Sequence, residues 1–160
     1  MIRDLLISSD ADSVHALVDS CGVFSAEEIE VAREMVVETQ GQGVEKTGYH
    51  YLFMEQEGHV AGFACYGRIP LTESSFDLYW LVVGKSYQRR GIARLLLEAA
   101  ESRVISEGGL QIYVETSSTS LYQPARSFYQ DCGYRIISVY EDFYRKGDDK
   151  VTLVKRLPVS

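Results

Sequence analysis

The chain has 160 residues, of which 46% are hydrophobic and 24% charged, which is the composition of an ordinary globular protein rather than a disordered or fibrous one. A chain of this length buries roughly 68–70% of its unfolded surface, so it forms a core without disulfides or metal ions. The net charge of −7 argues against nucleic-acid binding, which needs a basic surface, and no apolar run approaches the about 18 residues of a membrane span.

The cysteines and histidines are scattered along the chain. Cys21, Cys65 and Cys132 are odd in number and show no metal-ligand spacing, and each of the three histidines stands alone in the sequence. We therefore expect neither a disulfide framework nor a metal site. The chain does not open with a charged stretch followed by an apolar one, so we expect a cytoplasmic protein. With no linker, repeat or low-complexity stretch, residues 1–160 are predicted to form a single α/β domain.

The first third of the chain is predicted to be mostly helical. Residues 2–8 are predicted to form a short strand, and residues 10–21 follow with apolar side chains at helical spacing. Ser25 and Glu28 have the spacing of a capping box, in which each side chain binds a free backbone N–H at the start of a helix. That helix is expected to end just before residues 40–48, which contain three glycines and are predicted to be a loop.

The rest of the chain alternates between strand and helix patterns. Residues 49–55 and 59–68 flank the turn Gln56-Glu57-Gly58 and predict a hairpin. Residues 76–83 are rich in aromatic and β-branched types and predict a strand, and an amphipathic helix begins at Ile92. The remaining elements are predicted to be a strand over 110–115, a helix over 123–132 punctuated by Pro124 and Gly133, and strands over 134–144 and 150–157. Because a helix separates the strands at 76–83 and 110–115, we expect a parallel pair joined by a right-handed crossover.

The turn between the strand at 76–83 and the helix from Ile92 has a chemical use. Its sequence is Gln88-Arg89-Arg90-Gly91, and it leads into a helix N-terminus, where unpaired N–H groups and the helix dipole attract anions. Gly91 lets a phosphate approach the backbone, and the neighbouring side chains add donors and charge. The turn predicts a diphosphate site. The alternative is an ordinary turn with solvated arginines.

Two motifs resemble those of one family. Gln88-Arg89-Arg90-Gly91-Ile92-Ala93 is similar to the Q/R-x-x-G-x-G/A motif of the GNAT superfamily of acetyl-coenzyme A dependent N-acetyltransferases. Downstream, Ala125-Arg126-Ser127-Phe128-Tyr129 and the following residues to Tyr134 resemble its A-x-x-F-Y-x-x-x-G-F/Y segment. The two motifs also occur in the same order as in the family, and the resemblance covers about residues 49–157.

The resemblance implies a fold and a cosubstrate. The fold is a GNAT-like mixed, mostly antiparallel central sheet flanked by helices, in which the parallel strands 4 and 5 splay apart. The cosubstrate is acetyl-coenzyme A, whose pantetheine arm would pair with backbone groups of Leu81 and Val83. The amide of Val82 or Val83 would lie near the thioester oxygen. Because the splayed strands leave backbone groups unpaired, such pairing follows the pattern of strand addition.

The resemblance also implies which residues bind the coenzyme. One position departs from the family, because many members carry asparagine where this chain has Tyr122, so that contact is either lost or replaced by Thr116, Ser117 or Ser118. With the backbone of residues 81–83, the implied coenzyme-binding residues are Gln88, Arg89, Arg90, Gly91, Ile92, Ala93, Arg94, Tyr122, Arg126 and Tyr129.

Three side chains are candidates for acid–base chemistry. Asp77 and Glu115 are carboxylates near strand ends, and either could take the proton of an attacking amine. Glu115 is preferred because it lies at a C-terminal strand end beside the expected splay, whereas Asp77 is expected at the far edge. By the resemblance, Tyr129 protonates the departing thiolate and Phe128 faces the core. The alternatives are exposed carboxylates at strand ends and a tyrosine that only packs.

The sequence therefore predicts an N-acetyltransferase that transfers acetyl from acetyl-coenzyme A, by direct attack, to a primary amine of a small molecule or of a peptide or protein terminus. The alternatives are a non-catalytic acyl-coenzyme A binding or sensing module and a domain that binds another phosphate compound. A homodimer is compatible with the sequence. Residues that could line an acceptor pocket, or simply pack, are Tyr49, Tyr51, Tyr66, Tyr79, Trp80, Tyr140, Asp142 and Tyr144.

Overall fold

The structure is a computed structural model that describes residues 1–159. Two short 3₁₀ turns, Lys85–Tyr87 and Ser120–Tyr122, precede two of its helices. The strands and helices in chain order are β1 (Ile2–Arg3), α1 (Asp10–Ser20), α2 (Ala26–Gln42), α3 (Val44–Thr47), β2 (His50–Gln56), β3 (His59–Arg68), β4 (Ser75–Val83), α4 (Ile92–Ser106), β5 (Gln111–Ser117), α5 (Gln123–Asp131), β6 (Arg135–Arg145) and β7 (Asp148–Arg156).

The strands form one sheet with the order β1-β2-β3-β4-β5-β7-β6. The pairs β1–β2, β2–β3, β5–β7 and β6–β7 are antiparallel, and β4–β5 is parallel. This arrangement confirms the predicted mixed, mostly antiparallel sheet and the parallel pair joined through a helix, here α4. The predicted hairpin between β2 and β3 is also present. Glu57 (φ 52°) and Gly58 (φ 78°) both have positive φ, as a two-residue turn of this kind requires.

The chain divides into two compact units. The first contains Met1–Gly67 and Leu78–Ser102, and the second contains Arg68–Asp77 and the chain from Arg103 onward. Strand β4 therefore contributes its first three residues to the second unit and the rest to the first. The single domain expected from length stays a prediction.

The core of the first unit lies between α1, α2 and strands β2 to β4. Val14, Val18 and Val36 pack from the helices against Phe53 and Phe63 of the sheet, and all five are fully buried. Their spacing along each helix is the period that predicted the helices. The predicted capping box is confirmed, because Glu28 N–H donates to Ser25 Oγ and Ser25 N–H donates to Glu28 Oε1.

Two predictions in this unit are wrong. The first strand is Ile2–Arg3 rather than residues 2–8, because buried Asp10 accepts from Ile7 N–H and from the Arg3 guanidinium and thereby turns the chain toward α1. Residues 40–48 are not a loop, because α2 continues to Gln42 and α3 follows. Glycines at 43 (φ 91°) and 48 (φ 75°) end the two helices rather than preventing them.

The second unit is built on β5 and β7. Phe76, Ile112 and Leu153 are buried, as is Val104 near the end of α4. Gly109 permits this packing, since a Cβ atom there would lie 2.8 Å from Phe76 Cε1. Strand β6 is the edge of the sheet.

Candidate functional site

The parallel ladder between β4 and β5 is short. It pairs Ser75 with Gln111, Phe76 with Ile112 and Asp77 with Tyr113, whereas β4 runs on to Val83 and β5 to Ser117. A ladder that ends well before its strands is what the predicted splay requires. It also places Asp77 at the last rung, not at the far edge where it was expected.

The backbone at the end of β4 is held in place by its neighbours. A Cβ atom at Gly62 of β3 would lie 2.8 Å from the Val82 carbonyl oxygen, so the close approach of the two strands needs glycine there. Gly84 N–H donates to Ala61 O at 2.9 Å. Gly62 is a supporting residue that the sequence analysis missed, although a glycine inside an apolar strand is a known signal of close backbone approach.

The basic turn, residues 88–94, begins with Gln88, whose side chain is hydrogen-bonded within the protein. The Gln88 side-chain amide donates to Val83 O at 3.1 Å, and the same oxygen receives the Cys21 thiol at 3.5 Å. Gln88 thus fixes the turn to the end of β4. Its predicted contact with the coenzyme stays a prediction.

The rest of the basic turn is open. Gly91 has φ +79°, and no atom lies within 4 Å of the position of a Cβ there, so the residue is needed for its conformation and leaves the backbone accessible. Its carbonyl accepts Leu95 N–H at 3.1 Å, in the first turn of α4. The side chains of Arg89, Arg90 and Arg94 are exposed, and the Arg90 guanidinium donates to Ser86 O at 3.2 Å. Ile92 is buried and Ala93 is half-buried.

In the second unit, Arg126 holds the loop between β5 and α5. Its guanidinium donates to the carbonyl oxygens of Ser117 (2.6 Å) and Thr119 (2.9 Å) and to Gln123 Oε1 (2.8 Å). Ser117 in turn donates to buried Asp148 at 2.5 Å. The coenzyme contact predicted for Arg126 stays a prediction, as does that of Tyr122, the half-buried N-cap residue of α5.

Tyr129 is the buried residue of α5. The rings of Phe128 and Tyr134 meet it edge-on at centroid distances of 5.5 and 5.7 Å. Burial, with a smaller contribution from Cys132, raises the pKa of Tyr129, so the phenol keeps its proton at neutral pH. The prediction that Phe128 faces the core stays a prediction. Phe128 is half-buried, and its ring packs against that of Tyr129.

The two candidate carboxylates lie on one face of the sheet. Asp77 pairs with Tyr113, and Glu115 is two residues further along β5, so the side chains point the same way. Asp77 is half-buried, and burial followed by the charge of Glu115 raises its pKa to about 6. Glu115 is exposed, with 55% of its side chain accessible.

Lys150 of β7 forms an ion pair with Glu115. Its Nζ lies 3.8 Å from Glu115 Oε1 and sits over the rings of Tyr140 (4.8 Å) and Phe143 (4.2 Å). The ammonium therefore offers Glu115 a partner of opposite charge. The sequence analysis missed Lys150, because its position depends on the register of β5, β7 and β6, which no local pattern reveals.

The aromatic residues predicted for an acceptor pocket have different roles. Tyr51 and Tyr66 are buried, and Tyr51 stacks on Phe53 in the core of the first unit. Tyr49 and Tyr79 meet edge-on at 5.4 Å. The other members of the set are half-buried Trp80, exposed Tyr140 and Tyr144 of β6, and Asp142, which accepts Gly147 N–H at a tight turn.

No helix within residues 1–159 is both long and apolar enough to cross a membrane. The same residues hold no group of three or more His, Cys, Asp or Glu side chains placed to bind a metal ion.

The fold and the basic turn together define a class of protein, the acyl-coenzyme A dependent transferases. The sequence matches the profile of the acetyltransferase (GNAT) family over residues 14–134, and the chain belongs to this family. It is therefore a GNAT-type acetyltransferase, and its family uses acyl-coenzyme A.

Solved structures agree with this assignment. A protein from Desulfovibrio desulfuricans assigned to the GNAT acetyltransferases is 37% identical over 99% of both chains, with a TM-score of 0.96. The fold alone is shared with the ribosomal-protein-S18-alanine N-acetyltransferase from Escherichia coli, which is 18% identical over 100% of this chain and 95% of that one, with a TM-score of 0.78. An aminoglycoside 6'-N-acetyltransferase complexed with coenzyme A is 19% identical over 100% and 99%, with a TM-score of 0.77. A search of the curated proteins gives no significant match.

Proposed function

We propose that this enzyme transfers an acetyl group from acetyl-coenzyme A to a primary amine, on a small molecule or on a peptide or protein terminus, by direct attack of the amine. The observation that carries the proposal is the short parallel ladder of β4 and β5 in a chain that also has an open glycine turn at the start of α4. Ends of β4 and β5 that are not paired with each other, and free helix N–H groups, are the backbone features that a pantetheine arm and a diphosphate need.

In the proposal, the coenzyme is bound mainly by backbone. The diphosphate lies against Gly91 and the first N–H groups of α4, and exposed Arg89 and Arg94 add positive charge. Backbone groups of Leu81 and Val83 pair with the pantetheine amides. The amide of Val82 or Val83 donates to the thioester oxygen as negative charge develops there.

We assign the proton acceptor to Asp77 rather than to Glu115, reversing the preference drawn from sequence. Asp77 is half-buried at the last rung of the ladder, whereas Glu115 is exposed and paired with Lys150. The pKa of about 6 supports this choice, because a carboxylate of this kind is charged at neutral pH yet more basic than an ordinary one. A base matters because an alkylamine with a pKa of about 10.4 is almost fully protonated at pH 7.

Tyr129 is proposed as the general acid. The ammonium first gives one proton to Asp77, which passes it to water, and the neutral amine then attacks the thioester carbon. As the carbon–sulfur bond breaks, the thiolate of coenzyme A accepts the phenolic proton of Tyr129, and the second proton lost by the nitrogen returns to the phenol through water. Burial supports the role of Tyr129, since a raised pKa keeps the proton on the phenol throughout the neutral range.

The acceptor is proposed to be cationic before it reacts. The chain has a net charge of −7, and two of its carboxylates, those of Asp77 and Glu115, share one face of the sheet. Two relatives in fold are named for a ribosomal-protein alanine and for an aminoglycoside. A screen should therefore include α-amino peptides, alkyl diamines and aminoglycosides.

The first test is the melting temperature with acetyl-coenzyme A, with ADP and with no ligand. A specific site filled at about 100 times its dissociation constant adds roughly 2.7 kcal/mol to stability. We expect a rise with acetyl-coenzyme A that exceeds the rise with ADP, followed by turnover with at least one amine of the screen. No rise at high concentration contradicts the coenzyme site, and equal rises with both ligands point to general phosphate binding.

A further inference from the structure

One side chain joins the end of β4 to the start of the basic turn. Gln88 follows Val83 by five residues, and its side-chain amide donates to the Val83 carbonyl oxygen at 3.1 Å. Between them lies the 3₁₀ turn Lys85–Tyr87, in which Tyr87 N–H donates to Gly84 O at 2.8 Å. The Gln88 bond therefore closes a small loop between the last residue of β4 and the first residue of the basic turn.

The peptide group between Val83 and Gly84 is held on both sides. Its N–H, which belongs to Gly84, donates to Ala61 O of β3 at 2.9 Å. Its carbonyl oxygen, which belongs to Val83, accepts from the Gln88 amide and lies 3.5 Å from the Cys21 sulfur. A thiol is a weak donor, so Gln88 makes the stronger of the two bonds to this oxygen.

The backbone directly after Gln88 is strained. Arg89 has φ +66° and Gly91 has φ +79°, so two positions of the basic turn lie in the left-handed region. Glycine adopts this region freely, whereas a residue with a Cβ atom does so at a cost and keeps the conformation only where the surrounding structure holds it. The Gln88 side chain, on the residue before Arg89, is a contact that can hold the turn in this conformation.

A ligand that reaches from the basic turn to the end of β4 needs the two places in a fixed relative position. In the proposed function, acetyl-coenzyme A is such a ligand, because its diphosphate lies at Gly91 and its pantetheine arm at Val83. ADP reaches the turn alone. Since ordering mobile groups during binding lowers affinity, a bond that fixes both places beforehand favours the longer ligand over the shorter one.

We propose that Gln88 is a positioning residue that acts through the Val83 carbonyl rather than by touching the coenzyme. It holds the basic turn against the end of β4, so that one coenzyme molecule can bind to both. Because the Val83 oxygen already receives Gln88 and Cys21, the pantetheine pairs with the N–H of Val83 and not with its carbonyl. This inference rests on the coenzyme site of the proposed function.

The test compares the affinities of acetyl-coenzyme A and ADP, by titration calorimetry, in the wild type and in Gln88→Met. Methionine is close to glutamine in length but has no N–H donor. We expect Kd for acetyl-coenzyme A to rise about three- to tenfold, as for the loss of one hydrogen bond, while Kd for ADP changes less than about twofold. Gln40→Met is the matched control, because the Gln40 amide also donates to a backbone oxygen, that of Ile7 at 2.8 Å. It should change neither constant.

A second variant tests the bond itself. Gln88→Arg keeps an N–H donor on a long side chain, so it should restore the preference for acetyl-coenzyme A over ADP that Gln88→Met loses. The added charge should strengthen the binding of both ligands, and the ratio of their two dissociation constants is therefore the quantity to compare. Circular dichroism and melting of each variant verify that it is folded.

The outcomes separate this inference from the proposed function. Equal losses for both ligands in Gln88→Met overturn the inference, because they indicate direct contact with the diphosphate. Unchanged constants for both ligands also overturn it, because the bond then serves stability alone, and so does a Gln88→Arg variant that fails to restore the preference. A wild type without any preference for acetyl-coenzyme A contradicts the proposed function, and the inference is then wrong as well.

Discussion

The basic turn belongs to the first compact unit, and the carboxylate face, formed by Asp77 of β4 and Glu115 of β5, belongs to the second. In the turn, the chemistry belongs to the backbone: Gly91 is open and in the left-handed region, while the Gln88 side chain is used as a brace. On the carboxylate face, individual side chains carry the chemistry, because Asp77 and Glu115 differ in burial and in their neighbours. A site made by backbone tolerates changes of neighbouring side chains, whereas a site made by side chains does not.

The largest effect is expected at Tyr129. Replacing it by phenylalanine removes the proposed acid but keeps the ring, so kcat should fall by about 10²- to 10⁴-fold while coenzyme binding is retained. Steady-state kinetics and calorimetry measure the two quantities. Tyr134→Phe alters the neighbouring buried tyrosine and serves as the control. If kcat changes only severalfold in Tyr129→Phe, the phenol is a packing residue.

The next largest effect is expected from Asp77→Asn, which should lower kcat/KM by about 10²-fold. The wild-type enzyme should lose activity as the pH falls through about 6, because protonated Asp77 cannot accept the proton of the amine, and this acid limb should vanish in the variant. The measurement is a pH profile of kcat/KM for both proteins. Glu115→Gln is the matched comparison, with an expected loss of only severalfold. The opposite ranking would assign the base to Glu115.

Gly91→Val should weaken coenzyme binding by about tenfold. A β-branched residue is strained at φ +79°, so the turn must shift, and the valine side chain occupies the open approach to the backbone. Titration calorimetry with coenzyme A measures the change. Gly22→Val is a control at a similar φ of +73° in another loop, and it carries the same backbone strain without the basic turn. Equal affinity in Gly91→Val and the wild type would remove this residue from the site.

The smallest effect is expected from Arg89→Gln. An exposed charge contributes about 0.2–1 kcal/mol, so the affinity for coenzyme A should fall only severalfold, and the difference should shrink as salt is added. Binding at low and high ionic strength measures it. A loss larger than that of Gly91→Val would contradict the view that backbone dominates the basic turn.

Residues that start or end helices made much of the fold predictable. Pro124 and Gly133 bracket α5, and Ser25 with Glu28 start α2, because these residues act on the backbone next to them. The predicted length of the first strand was wrong because buried Asp10, which lies beyond the strand, bends the chain. The predicted loop over residues 40–48 was wrong because its glycines do not prevent helix formation. Gly43 ends α2 and precedes α3.

The motifs predict a candidate site, but they do not rank its two carboxylates. The preference between Glu115 and Asp77 depends on where a three-rung ladder ends and on Lys150, which comes from another strand. Both depend on strand register, a property of the assembled sheet that a one-residue slip would invert. The position of Lys150 beside Glu115 is therefore visible only in the structure, whereas Gly62 carried a sequence signal.

The packing of Trp80 has a consequence for spectroscopy. It is the one tryptophan of the chain, it belongs to the first unit, and it contacts Met35 Sδ at 3.3 Å and the edge of Phe24. Its fluorescence therefore follows the unfolding of the first unit alone, whereas far-ultraviolet circular dichroism follows helices and strands of both. Coincident denaturation curves from the two signals would show that the chain unfolds as one cooperative domain, and separated curves would show that the two units unfold independently.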